Sequence, residues 1–170
     1  SGERTNPWMQ ESSNKIIQQG EIVSFDTDMV GPYGYCADIS RTFVCGNDFN
    51  NNQKELYSMS LEQINHNSNL IKADMSFEEF TEKSWKLPEE YYGNRYSVMV
   101  HGIGLCDEWP SIRYPTDGGD KSGRFLKNMT ITVESYIGKV GGKEGVKLEQ
   151  QYLVGENGLE LMSHHPLEDI

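Results

Sequence analysis

Five carboxylates sit inside segments whose other residues read as the core of a sheet. The first three fall in "FDTDMVGPYGYCADISRTF", residues 25–43: Asp26, Asp28 and Asp38 among apolar, aromatic and turn-forming neighbours. Glu134 ends the alternating run "ITVES", and Glu149 sits in the middle of "GVKLEQQYLV". A buried, unpaired carboxylate is costly, and several that converge repel one another as well. A chain built this way folds only if something neutralises those charges.

Local patterning says where the acids lie. Glu21 to Asp28 reads as a strand, "GPYG" as a tight turn, and Tyr35 to Val44 as the returning strand of a β-hairpin. Asp26 and Asp28 are two apart and so share one face, with Asp38 brought across from them. Residues 51–73 carry Leu56, Met59, Ile64, Leu70 and Ile71 near a 3.6 period and predict a helix. Asp74 to Lys86 predicts a second helix, with Ser76 and Glu79 as a capping box. A short helix is expected near Glu11 to Ile17. Tyr96 to Val100 predicts a strand ending at His101, residues 113–124 a loop, and Met129 to Tyr136, Val146 to Val154 and Gly158 to Met162 three more strands. Strands, then helices, then strands give an α+β class.

Taken singly, each acid has an ordinary reading: Asp26 or Asp28 caps the turn, Asp38 pairs with Arg41, and the glutamates face solvent. His101, before "GIG", would be a satisfied polar residue. Five carboxylates and one histidine on strands of one sheet instead favour an oxygen-rich dinuclear centre, suited to Mn, Fe, Co or Zn. Two such ions need bridging carboxylates, which Asp38 and Glu149 could supply.

The 170 residues suit a single domain, 1–170, and 36% hydrophobic with 11% aromatic content supports a folded core. A net charge of −11 disfavours nucleic acid and anionic membrane surfaces as partners. No apolar run approaches the roughly 20 residues of a membrane span. Cys36, Cys45 and Cys106 form no CxxC pair, which points to free thiols and a reducing, cytoplasmic setting.

The order Asp…Asp…His…Glu…Glu, with "GYCADISRTF", "HGIG", "VES" and "GVKLEQQYLV", resembles the pita-bread superfamily of methionine aminopeptidase, aminopeptidase P, prolidase and creatinase. The resemblance spans about residues 3 to 163 and implies the C-terminal part of that fold, a curved, mostly antiparallel sheet with helices on one face. The helices that open a complete domain are absent, so a domain truncated on its N-terminal side is expected. Such a piece could bind metal yet turn over slowly. Homodimers are expected from the relatives.

The departures narrow the resemblance. The peptidases place a second histidine shortly after the metal histidine, where it helps stabilise the tetrahedral intermediate. In "HGIGLCDEWP" that slot holds Asp107 and Glu108, and an ionised carboxylate cannot donate to an oxyanion. Glu134-Ser135-Tyr136 replaces the usual Glu-Pro-Gly. "ERTNPW", the Asp-Thr-Asp pair, "HGIGLCDE" and "VESYIG…GVKLE" resemble the dimethylsulfoniopropionate lyases of the DddP type. That branch implies six metal ligands: Asp26, Asp28, Asp38, His101, Glu134 and Glu149. It implies two divalent ions with iron as the expected metal, Asp107 as catalytic base, and Tyr96 as a catalytic residue in the substrate pocket. The sulfonium of that small-molecule substrate could lie against Tyr96, Trp109 or Trp8 by cation–π contact, worth about 0.5–2 kcal/mol. The alternatives are an Xaa-Pro peptidase using His164 or His165, and a non-catalytic binding domain.

Overall fold

A computed structural model describes residues 1–46 and 48–168. Its architecture is α+β. After a 3-10 turn at Gly2–Thr5 come β1 (Ile22–Asp26), β2 (Met29–Val30), β3 (Cys36–Ala37) and β4 (Ser40–Val44). Helices α1 (Asn51–Leu70), α2 (Phe77–Lys83) and α3 (Glu89–Tyr92) follow. The chain then forms β5 (Val98–Gly102), β6 (Ser111–Arg113), β7 (Thr130–Ile137), β8 (Val146–Val154) and β9 (Leu159–Leu161). The last five strands make one antiparallel sheet in the order β6-β5-β7-β8-β9. No described helix is long and apolar enough to cross a membrane.

The hairpin forms, but in two pieces. β1 pairs with β4 from Ile22↔Val44 to Asp26↔Ser40, and β2 pairs with β3 through Met29↔Ala37 and Val30↔Cys36. Thr27 and Asp28 oppose Asp38 and Ile39 at the break, where the Thr27 hydroxyl donates to the Ile39 carbonyl at 3.0 Å. The ladder therefore opens where the acids cluster. The hairpin is tied to β8 by side chains: Thr42 Oγ1 donates to the Lys147 carbonyl at 2.7 Å, and Arg41 Nη1 to the Glu149 carbonyl at 2.6 Å.

α1 covers the opposite face of the β7–β8 pair. Its start is set by a complete capping box: Asn50 Oδ1 accepts from the Gln53 N–H, and Gln53 Oε1 accepts from the Asn50 N–H. The helix ends at Leu70, short of the expected Ala73, because Ile71 turns to extended backbone. Its buried face is half polar. Leu56, Tyr57 and Ile64 pack against Ile137, Val146 and Leu148, while the Ser60 hydroxyl donates to Ser135 Oγ at 3.0 Å and Gln63 spans Ser135 and the Tyr114 hydroxyl. Each of these buried polar side chains has a partner, which removes the cost of burying it.

Three local expectations need correction. Residues 11–17 form no helix; the stretch has no apolar stripe to bury, and Ile16 is exposed. α2 starts at Phe77 rather than Asp74, since Asp74 adopts φ 66° and breaks any earlier helical turn. Its capping box is half formed: Ser76 accepts from the Glu79 N–H at 3.1 Å, but the Glu79 carboxylate reaches forward to Lys83 at 2.6 Å. Helix α3 and strand β6 were not anticipated; at four and three residues they are too short to show a period.

Candidate metal centre

Strand register builds the site. Glu134 on β7 stands directly opposite Glu149 on β8, and His101 on β5 stands opposite Thr132. Residues two apart share a face, so His101, Thr132, Glu134, Lys147, Glu149 and Gln151 all project from the side of the sheet away from α1. β1 and β4 lie over that side and add Asp26 and Ser40, and the break before β4 adds Asp38. Like charges placed directly opposite in a ladder are unfavourable, yet Glu134 and Glu149 are 2% and 1% exposed. Positive charge is needed beside them, and the buried Lys147 ammonium supplies part of it.

Three overlapping donor groups meet the distances of a metal site, with the ligand atoms of each group within 4.8 Å of one another: Asp26, Asp38 and Glu149; His101, Glu134 and Glu149; Asp38, His101 and Asp107. Five of the six expected ligands are thus brought together. Asp28 is exposed and outside these groups, although its carboxyl bonds to that of Asp38. It leaves the strand at the break, so it does not share a regular strand face with Asp26 as expected. Asp107 joins from the loop after β5, where its Oδ1 accepts from the Glu108 N–H at 3.0 Å. The turn "HGIG" is tightly sterically set, because a Cβ on Gly102 would run into the Trp109 carbonyl.

The donor atoms are arranged to receive an ion. His101 donates from Nδ1 to the Gly102 carbonyl at 3.0 Å, which directs Nε2 at three carboxylates. Nε2 lies 3.1 Å from Glu149 Oε1, 3.5 Å from Asp38 Oδ2 and 3.8 Å from Glu134 Oε1. Asp38 Oδ1 and Glu134 Oε1 are buried with no hydrogen-bond partner. Orphaned acceptors of this kind cost about 1–3 kcal/mol each, and a divalent cation beside His101 would satisfy both. The residues present therefore fit the implied metal.

Electrostatics without an ion follow from this crowding. Burial pushes the Asp38 carboxyl up to about 7, partly offset by its bond to His101. Burial likewise raises Glu134 to about 8, against the pull of Lys147. Glu149 goes the other way: burial opposes its charge, but Lys147 and His101 hold it well below the usual carboxylate range. Burial disfavours the His101 imidazolium, but the bonds to Asp38 and Glu149 win and raise it to about 11.

Lys147 was missed in the sequence. Its ammonium is fully buried, 2.6 Å from Glu134 Oε2, 3.1 Å from Glu149 Oε2 and 4.0 Å from Asp26 Oδ2, with the Tyr96 ring centroid 5.2 Å away. The signal was available: Lys147 precedes Glu149 by two, so a strand puts both on one face. Ser40 was missed as well; its hydroxyl lies 2.6 Å from Asp26 Oδ1 and 3.0 Å from Glu149 Oε2.

Other expected residues take varied places. Tyr96 is half-buried beside Lys147, and burial raises its phenol so that it stays neutral. Trp109 is 63% exposed, two residues past Asp107. Trp8 lies tilted against Tyr136, ring centroids 6.2 Å apart, and lines a cavity of about 310 Å³ that reaches Asp26. Arg41 does not pair with Asp38; its guanidinium is spent on Gln150 Oε1 and on the carbonyls of Ser40, Glu149, His165 and Pro166. His101 is the one histidine in the donor groups found among the described residues. His66 bonds the Lys83 carbonyl, and His165 sits edge-on to Phe43. All three cysteines are free thiols.

Comparison with known proteins identifies the family and the fold. Residues 1–156 match the model of metallopeptidase family M24. The chain is 40% identical over 99% of its length to a dimethylsulfoniopropionate lyase DddP from Roseovarius nubinhibens, and 37% identical to one from Roseobacter denitrificans, covering 38% of each. It thus spans under two fifths of those relatives. The prolidase from Pyrococcus horikoshii OT3 superposes with a TM-score of 0.83 at 27% identity, covering 99% of this chain and 47% of that one. The mixed helix and antiparallel sheet correspond to the C-terminal part of the pita-bread fold, and the chain belongs to the M24 metallopeptidase family.

Proposed function

We propose that the chain carries the catalytic centre of a metal-dependent lyase that splits dimethylsulfoniopropionate into dimethyl sulfide and acrylate. The observation that carries this reading is Asp107, a carboxylate grouped with His101 and Asp38 at the point where the peptidases use a histidine. The 40% identity to a dimethylsulfoniopropionate lyase supports it. The peptidase alternative needs His164 or His165 at the centre; His164 is exposed, His165 sits edge-on to Phe43, and neither belongs to a donor group found among the described residues.

Asp26, Asp38, His101, Glu134 and Glu149 would hold the metal, and Asp28, whose carboxyl bonds to that of Asp38, would complete the set. When bound, two divalent ions would act as Lewis acids on the substrate carboxylate and so acidify its α hydrogen. Asp107 would then take the α proton. The C–H electrons form the carbon–carbon double bond, the β carbon–sulfur bond breaks, and sulfur leaves with that pair as neutral dimethyl sulfide. The proton remains on Asp107 until solvent removes it. Trp109 offers an uncommitted aromatic face for the sulfonium, whereas the Tyr96 ring already faces Lys147. Neutral Tyr96 can still donate a hydrogen bond to substrate. The test is to incubate metal-loaded protein with dimethylsulfoniopropionate and with Xaa-Pro dipeptides, measuring dimethyl sulfide by gas chromatography. Dipeptide cleavage without dimethyl sulfide would sink the lyase reading.

Metal affinity is expected to rise with pH. Without an ion, His101 keeps a proton until about 11, Glu134 until about 8, and Asp38 until about 7. Protons and metal compete for the same atoms, so binding at neutral pH releases protons, and the apparent affinity climbs with pH up to about 11, most steeply below about 7 where all three groups hold protons. Calorimetry in buffers of different protonation enthalpy reads the released protons directly; an affinity flat across this window would contradict the assigned ligands.

A further inference from the structure

Every carboxylate in the centre has two oxygens, and the two glutamates use theirs differently. Glu134 Oε2 accepts from Lys147 at 2.6 Å, while Glu134 Oε1 has no partner. Glu149 Oε2 accepts from Lys147 at 3.1 Å and lies 3.0 Å from Ser40 Oγ, while Glu149 Oε1 faces His101 Nε2. One ammonium thus engages one oxygen of each of two glutamates that stand opposite each other in the ladder. The other oxygen of each is turned toward the imidazole.

From this allocation we infer that Lys147 is a positioning residue for the metal centre, holding Glu134 and Glu149 so that each presents a single oxygen to the ion beside His101. Its reach and charge make it fit for this. A side chain rooted two residues before Glu149 passes along the same strand face and needs no backbone change to bridge the pair. Its positive charge offsets the like-charge contact that the register imposes. Ammonium donors rotate freely, so one group can serve two acceptors that are not coplanar. The inference rests on the reading of the site as a metal centre and is independent of whether the reaction is a lysis or a hydrolysis.

Cobalt(II) is the probe, because its visible d–d absorption weakens as coordination number rises and so reports how many oxygens the glutamates supply. Lys147→Met should bind cobalt about 10–100-fold more weakly than the parent, the range seen when a group that orients metal ligands is removed. Its d–d intensity should fall as the freed Oε2 atoms join the ion. Lys147→Arg, which keeps a charged donor, should restore both readouts. Tighter binding in Lys147→Met would show that the ammonium competes with the ion, and an unchanged spectrum and affinity would reduce Lys147 to packing; either overturns the inference. Should Lys147→Met fail to fold by circular dichroism, Lys147→Gln, which lacks the charge, carries the same comparison. A parent chain that bound no cobalt would instead sink the metal-centre reading itself.

Discussion

Replacing Asp107 with alanine is expected to lower dimethyl sulfide release by about 10²–10⁴-fold, the span typical of a lost general base, while bound metal stays at the parental level. The two readouts separate two roles that the geometry allows. Asp107 lies close enough to His101 and Asp38 to share an ion with them. Unlike Glu134 and Glu149, it comes from a loop and already accepts a backbone N–H, so the donor groups on the strands do not depend on it. Metal content, by elemental analysis of protein dialysed to equilibrium, decides the matter. Loss of an ion together with activity would make Asp107 a ligand, and retained turnover would remove it from the reaction.

Glu134 and Glu149 were legible from the sequence as two of several acids carried on strands; alternation alone sets each on the face away from Val133 or Leu148 and does not say what covers that face. What alternation could not supply was register. That the two glutamates face each other follows from pairing β7 with β8 at Glu134↔Glu149, a relation between distant segments that no local pattern encodes. Lys147 was passed over for the same reason. A lysine in a strand ordinarily lies in solvent, and its burial makes sense only once two carboxylates are known to flank it.

The hairpin shows the opposite case, where a local rule was right in outline and wrong at the acids. Strand, turn and strand were read correctly, but strict alternation put Asp26 and Asp28 on one face. The ladder breaks at Thr27–Asp28 and Ile39, which leaves Asp26 inside and Asp28 exposed. Conflict between local regularity and chemistry is expected at functional sites. The polar face of α1 escaped for a related reason: Gln53, Ser60 and Gln63 look solvent-facing until Ser135, Tyr114 and Glu144 are placed against them.

The opposed glutamates should respond unequally to neutralisation when no metal is bound. Glu149 is held well below the usual carboxylate range because Lys147 and His101 outweigh its burial. A carboxyl depressed in the folded state contributes stability above its unfolded pKa and loses it as pH falls. At neutral pH that contribution is fully present, so Glu149→Gln removes it and leaves two cations short of a partner. Breaking a buried pair in this way costs about 3–5 kcal/mol, which for a domain of this size lowers Tm by about 10 °C. Glu134 is raised to about 8 by burial, against the pull of Lys147, so folding disfavours its charged form. Glu134→Gln should therefore lower the metal-free Tm less than Glu149→Gln does, while both variants lose the stabilisation that metal gives the parent. Calorimetric melts at pH 7, with and without a chelator, make the comparison. Equal destabilisation of the two metal-free variants would mean that Lys147 and His101 do not distinguish the two carboxylates, and the asymmetry assigned to the centre would fail.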